Sequence, residues 1–306
     1  MYVEIPHVRV GEPMQCGGMT VFPLATGLPM FQYDEGLPEY VLAHEAMAAG
    51  TLIVREVSEE GSVCELLADN LGDQRVLFVE GEELKGAKQN RAVATSVMVA
   101  GRSCARLPVC CIQRGKWEYS SRQFSPGSYC PPTLRHLLKR GADGIAVVQR
   151  QQAVWQEVRR KHQATATRSE KENLSDALET HRDRVDNMRC RLRYPEGKSG
   201  IAVALGGRFV EIDLFHKPST LEHLWDRLVE GVALDALEFG DTGCQADGNE
   251  IAVRLYRLKD VEWKRIEPAI GLGEAYRVRE DDGSLATALF VDGVPVHMSV
   301  SVSAIG

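Results

Sequence analysis

Short apolar runs separated by turn-forming residues fill the chain up to about residue 125. Residues 19–26, 51–57, 63–68, 75–79, 91–99 and 107–113 are each of strand length, and Asp69-Asn70 and Gly72-Asp73 punctuate typical gaps. The run 91–99 carries small or apolar residues at both odd and even positions, which predicts a central strand covered on both faces. One helix is predicted among these strands. Pro38 suits its first turn, Gly50 suits its stop, and Tyr40, Val41, His44, Met47 and Ala48 share a face.

The apolar period then lengthens to that of helices. Pro131-Pro132 predicts a short helix ending before Gly141, and a longer one follows from about Ala146 with Val147, Val148, Val154, Trp155, Val158 and His162 on one side. The polar stretch 163–171 reads as a loop, and Ser169 with Glu172 reads as a capping box. Behind it Leu174, Leu178, His181, Val185, Met188 and Leu192 recur at alternating spacings of four and three, the seam of one further helix. Together these predict an antiparallel helical hairpin over 146–193, rich in arginine.

Strand patterning returns after Ser199. Residues 201–205, Gly206-Gly207 and 208–215 read as a tight hairpin. Ser219 and Glu222 read as a second capping box, before a helix with Leu221, Leu224, Trp225, Leu228 and Val232 on one face. Residues 251–258, 274–279, 285–291 and 294–302 read as a meander, with Asp282-Gly283 and Asp292-Gly293 at its turns. The expected fold is therefore α+β, with mostly antiparallel sheets from the N- and C-terminal regions and an inserted helical hairpin. The regions are 1–130, 131–195 and 196–306, the last completing the same globule as the first.

At 306 residues the chain can bury a sizeable core without staples. Its formal net charge of -7 argues against bulk attraction to nucleic acid or anionic membrane. No apolar run approaches the roughly 20 residues of a membrane span, and the first residues lack a basic start and an apolar signal core. A cytoplasmic location is expected. Among the eight cysteines there is no C-x-x-C pair. Cys110 and Cys111 are adjacent on a strand, so their thiols point to opposite faces; small core residues are the expectation, with vicinal-thiol redox or metal chemistry as the alternative.

The densest chemistry lies at residues 80–91, Glu-Gly-Glu-Glu-Leu-Lys-Gly-Ala-Lys-Gln-Asn-Arg, between two apolar runs. Lys85, Lys88 and Arg91 can bind phosphate. Gln89 and Asn90 carry donors and acceptors suited to a base edge or a ribose hydroxyl. Glu80, Glu82 and Glu83 can orient the cations, act as a general base or supply hard oxygen ligands to a divalent cation. The same groups can also neutralise one another and simply pin the loop. In Arg114-Gly115-Lys116-Trp117-Glu118-Tyr119, a turn at Gly115 would present Trp117 for stacking or as a core anchor. In Phe209 to His216, strand alternation sets Glu211 and Asp213 on one face. An exposed strand face is the expectation there, and a metal site would require Asp213, His216 and His297 to meet.

The run Val79 to Arg91, the pair Pro108-Val109-Cys110 and Gly115-Lys116-Trp117, and Val296-His297 resemble one bacterial and archaeal family. It is the family of ADP-ribosylglycohydrolase (ARG)- and rhodanese-phosphatase-superfamily-associated protein domains. The resemblance spans about 18–303, nearly the whole chain. It implies gene neighbourhood with NAD- and ADP-ribose-processing enzymes and assigns no catalytic residue. Gln113 stands where the family has a glutamate and Lys116 where it has an arginine. Loss of a glutamate acid or base would favour a non-enzymatic member.

The function expected is an accessory protein for a nucleotide-like or ADP-ribose-like ligand. In it Lys85, Lys88 and Arg91 hold phosphate, Gln89 and Asn90 read polar edges, and Trp117 stacks. Two alternatives stand beside it: a self-associating scaffold, homo-oligomeric through 146–193, and a metal-assisted hydrolase built on the glutamates.

Overall fold

The computed structural model describes residues 2–26, 39–115, 117–140, 147–240, 246–267 and 269–302. Pro38, Lys116, Gly141 and Ala146, named above, lie outside the described residues, as does Cys244, one of the eight cysteines. The fold is α+β with mostly antiparallel sheets. The chain divides into two units. The first comprises Met1–Pro38, Asp183–Glu267 and Glu274–Gly306, and the second Glu39–Arg182 and Pro268–Gly273.

The chain begins in the first unit with β1 (Val8–Val10), β2 (Met14–Cys16) and β3 (Met19–Thr26). It crosses to the second unit for β4 (Tyr40–Leu42), α1 (Ala43–Ala48), β5 (Leu52–Glu56), β6 (Glu65–Asn70), β7 (Arg75–Phe78) and β8 (Glu82–Gly86). There follow β9 (Arg91–Val93), β10 (Val97–Val99), β11 (Ser103–Cys111), β12 (Phe124–Tyr129), α2 (Pro132–Arg140), α3 (Val147–Ala164) and α4 (Leu174–Thr180). Next come α5 (Arg182–Arg191), β13 (Gly200–Leu205), β14 (Arg208–Phe215), α6 (Pro218–Ala236) and α7 (Asn249–Arg257). The last strands are β15 (Lys264–Arg265), β16 (Glu274–Arg279), β17 (Leu285–Val291) and β18 (Val294–Ser301).

The second unit holds a six-stranded sheet, β12-β8-β9-β11-β6-β5, and a three-stranded one, β10-β7-β4. Their apolar faces enclose a core of Leu52, Val54, Leu66, Val76, Phe78, Val93, Val99, Leu107 and neighbours. In the first unit the order is β1-β3-β13-β14-β18-β17-β16-β15, with β2 on β3. One face of that sheet packs Phe22, Leu24, Ile212, Leu214, Met298 and Val300 against Ile251, Leu255, Leu258 and Trp263.

Several expectations hold to within a residue or two, among them α2, the β13–β14 hairpin and strands β16 to β18. Others do not, each for a physical reason. The run 91–99 is buried almost throughout but breaks at residues 94–96, so β9 and β10 serve different sheets. The helix expected from Pro38 begins only at Ala43, because Tyr40–Leu42 pairs in parallel with β7. The seam over 174–192 is interrupted at His181, whose Nε2 meets the Thr165 carbonyl oxygen at 2.8 Å.

Neither expected capping box forms. Ser169 Oγ instead bonds Asp176 at 2.6 Å and accepts the Asn173 N–H, and α6 opens with Pro218 in its first turn. The stretch expected as a strand at 251–258 is instead α7 with its C-cap Leu258, since Ile251, Leu255 and Leu258 recur at spacings of four and three and pack together on the sheet.

Candidate functional site

The polar run 80–91 is only partly a loop: a turn at 80–81 leads into a strand of the second unit's sheet, and a bend over 87–90 leads to Arg91 at the start of β9. Glu82–Gly86 forms β8, paired antiparallel with β12 and β9, and both alternating phases of it are largely buried. Burial on both faces forces each charged side chain to find an internal partner. These partners lie in four different directions.

Glu80 turns to α2, where Lys139 Nζ lies 2.7 Å and Arg135 Nε 3.6 Å from its carboxylate. Glu82 accepts the Val79 N–H at 3.3 Å and has His44 Nδ1 at 3.8 Å. Glu83 is the most heavily coordinated of the three. It accepts the Ser175 hydroxyl, the Ser128 N–H at 3.0 Å, the Ser128 hydroxyl at 2.7 Å and the Asn90 amide at 3.3 Å. Lys85 stands beside it at 3.7 Å. The Asn90 amide also reaches Asn173 Oδ1 and Ser175 Oγ, each at 3.3 Å, so Glu83 and Asn90 tie the sheet to the start of α4.

The fourth direction gathers Lys88, Gln89, Arg91 and Trp117. Arg91 is fully buried and donates to the Gln89 carbonyl and side-chain oxygens at 3.2 Å each, to the Ser62 carbonyl at 3.2 Å and to Glu56 at 3.4 Å. Gln89 in turn donates to the Arg114 carbonyl at 3.3 Å. Lys88 Nζ donates to the Glu60 carbonyl at 3.0 Å and lies 5.3 Å from the Trp117 ring centroid and 5.0 Å from that of Tyr119. The Arg91 guanidinium is 5.5 Å from the Trp117 ring. These distances suit cation–π attraction. Both rings nevertheless face solvent, Trp117 at 42% and Tyr119 at 39% exposure.

Beneath the rings one carboxylate oxygen, Glu56 Oε2, is sealed without a hydrogen-bond partner, as is Arg91 Nε. Gly61, at φ +77°, covers them: a Cβ there would come within 3.2 to 3.3 Å of Glu56 Oε2, Lys88 Cδ and Trp117. Partial burial and the carboxylates of Glu59 and Glu56 push the Tyr119 phenol above its ordinary value. Glu60 is held below the usual carboxylate range by its own main-chain N–H and then by Ser58. The cluster therefore offers two partly exposed aromatic rings around an anchored ammonium, above a sealed carboxylate.

Lys88, Gln89, Arg91 and Trp117 thus meet, whereas Lys85, Glu80, Glu82, Glu83 and Asn90 are committed elsewhere. Among the described residues no three His, Cys, Asp or Glu converge as a metal ion would require. Glu56 was not singled out from the sequence. Its signal was available: it continues the core-facing phase of Leu52 and Val54 on β5, a position where a charge needs a reason.

In the first unit, Glu211 and Asp213 are not on an exposed face as expected. Both are buried, Asp213 with His297 Nε2 at 3.1 Å and Glu211 accepting the Ser299 hydroxyl at 2.8 Å. The His297 ring stacks on Phe215 at 4.8 Å. The register sets Phe215 opposite His297, and Asp213 opposite Ser299, so the Asp213–His297 and Glu211–Ser299 contacts are diagonal ones on one face of the strand pair.

Residues 7–301 match the model of the ARG and Rhodanese-Phosphatase-superfamily-associated Protein domain, and the chain belongs to that family. The family's name ties the protein to ADP-ribosylglycohydrolase- and rhodanese-phosphatase-associated systems. No curated protein and no solved structure matches the chain. No helix among the described residues is long and apolar enough to cross a membrane.

Proposed function

We propose that this member of the family is an accessory protein that binds a nucleotide-like or ADP-ribose-like ligand on the Trp117–Tyr119 face of the second unit. The observation that carries the reading is an exposed tryptophan fixed above buried Lys88 and Arg91, with Glu56 Oε2 unpartnered beneath it. Large aromatic side chains left in water beside fixed cations suit a planar, anionic ligand. Trp117 and Tyr119 supply stacking surface and Lys88 the charge for a phosphate, while buried Glu56 holds Arg91 in place beneath them. Glu80, Glu83, Lys85 and Asn90 hold the sheet and helices that present this face, and Glu82 anchors the turn before β8.

Calorimetric titration with ADP-ribose, NAD and AMP tests this directly. Stacking on one aromatic ring contributes about 1–3 kcal/mol, so Trp117→Ala should weaken ADP-ribose binding by about 5- to 150-fold. Trp117 is exposed in the free protein, so its variant should fold normally. Unchanged ADP-ribose affinity in Trp117→Ala and in Lys88→Met would remove the site. A self-associating scaffold is a second reading, favoured by Val147 and Val148, which stand 48% and 65% exposed at the start of α3. Light scattering of Val147→Lys/Val148→Lys distinguishes it, because an unchanged assembly state rules that helix out as the contact.

A further inference from the structure

A cavity of about 440 Å³ opens in the first unit where the β13–β14 hairpin turns, and its wall includes Gly207, Arg208, Phe239, Glu250, Arg254 and Val302. That volume falls within the range of small-molecule sites, about 300–1,000 Å³. The turn is made by Gly206 at φ +55° and Gly207 at φ +81° between the paired residues Leu205 and Arg208. Two central residues at positive φ are the signature of a type I′ turn, in which the second N–H is not used by the ladder. Gly206 meets a further requirement: a Cβ there would lie 2.8 Å from the Phe239 ring, so the absence of a side chain lets that ring close over the turn. Phe239 thereby becomes one wall of the cavity.

The charges differ in how they are committed. Arg254 is fixed in place, with Nε and Nη2 on Glu250 at 3.0 and 2.9 Å and Nη1 reaching Asp282 and Ser284 at 3.4 Å each. Arg208, a residue of the cavity wall, makes no hydrogen bond or ion pair with the described residues. Among the described wall residues Arg208 is therefore an unspent fork suited to a planar or tetrahedral oxyanion. The Gly207 N–H adds a main-chain donor at the same turn.

We propose that this cavity is a binding site for a small ring-bearing phosphate, with the anionic group on Arg208 and the Gly207 N–H and the ring against Phe239. Arg254 is neutralised by Glu250 and Asp282 and serves as wall, so the attraction rests on Arg208. This site lies wholly within the first unit and does not depend on the function proposed for the second.

The test is a ¹H–¹⁵N titration of the full chain with phenyl phosphate and, separately, inorganic phosphate. Both probes should shift the Gly207 and Arg208 amides. Phenyl phosphate should bind about 2- to 10-fold more tightly, the ratio expected of one aromatic contact. Arg208→Ala should weaken both probes tenfold or more, and Phe239→Leu should reduce only the advantage of phenyl phosphate. Arg208 is exposed, so its variant should keep the native spectrum outside the turn. The proposal is overturned if neither probe shifts these amides, or if Arg208→Ala binds phenyl phosphate as well as the parent does.

Discussion

Replacing Arg91 with methionine removes the cation around which the Lys88–Trp117 cluster is assembled. The Arg91 side chain is 0% exposed and that of its partner Glu56 only 3%. Four acceptors lose their donor: the two oxygens of Gln89, the Ser62 carbonyl and Glu56. Removing one member of a buried ion pair costs about 3–5 kcal/mol, mostly because the remaining charge is left desolvated. The 3.4 Å separation places the expected loss near the lower end of that range. Replacing both members with apolar residues removes the stranded charge, so Arg91→Met/Glu56→Met should lie within about 1 kcal/mol of the parent.

The assay is urea-dependent alkylation of Cys111, which is buried on β11 directly opposite Arg91 and so reports opening of that sheet alone. The single variant should shift the alkylation midpoint to markedly lower urea, and the double variant should restore it. A single variant within about 1 kcal/mol of the parent, or a double variant as unstable as the sum of the singles, refutes the view that the pair is desolvated and mutually compensating.

Three further outcomes are expected. Glu83→Gln keeps the side chain's shape but turns an acceptor of several hydrogen bonds into a group whose amide faces donors. It should destabilise the second unit by about 2–3 kcal/mol in urea unfolding, and Ser175→Ala by about 1 kcal/mol. Burial pushes the Cys111 thiol from 9.0 up to about 12. The folded state then holds a proton that the unfolded state releases. The contribution is full below about pH 9 and is lost as pH rises toward 12, so urea midpoints should fall over that window and Cys111→Ala should flatten the decline. In the native protein at pH 8, iodoacetamide should modify the exposed Cys104 and Cys190 well before Cys110, Cys111 or Cys130. Equal rates for all five would mean that the sheet opens locally on that timescale.

Strand and helix periods were readable from single residues and their spacing. The hairpin at Gly206-Gly207, the strands around Asp282-Gly283 and Asp292-Gly293, and the α+β class all rest on local chemistry, because turn geometry and side-chain alternation are short-range properties. The concentration of ionisable groups at 80–91 was equally visible, as was the family it marks. The direction each of those groups takes was not visible. Neighbouring positions on β8 face opposite sides of a sheet covered on both faces, so Glu82 and Glu83 find partners on α1 and α4 respectively, elements distant in the chain. Only the tertiary structure, by setting β5 and the 57–62 turn against residues 88–91 and 117, selected Lys88, Gln89, Arg91 and Trp117 as one cluster and added Glu56 to it. Partner choice for a buried charge is a long-range property: it depends on which donor the packed chain brings within about 3 Å, and spacing along the sequence carries no record of that.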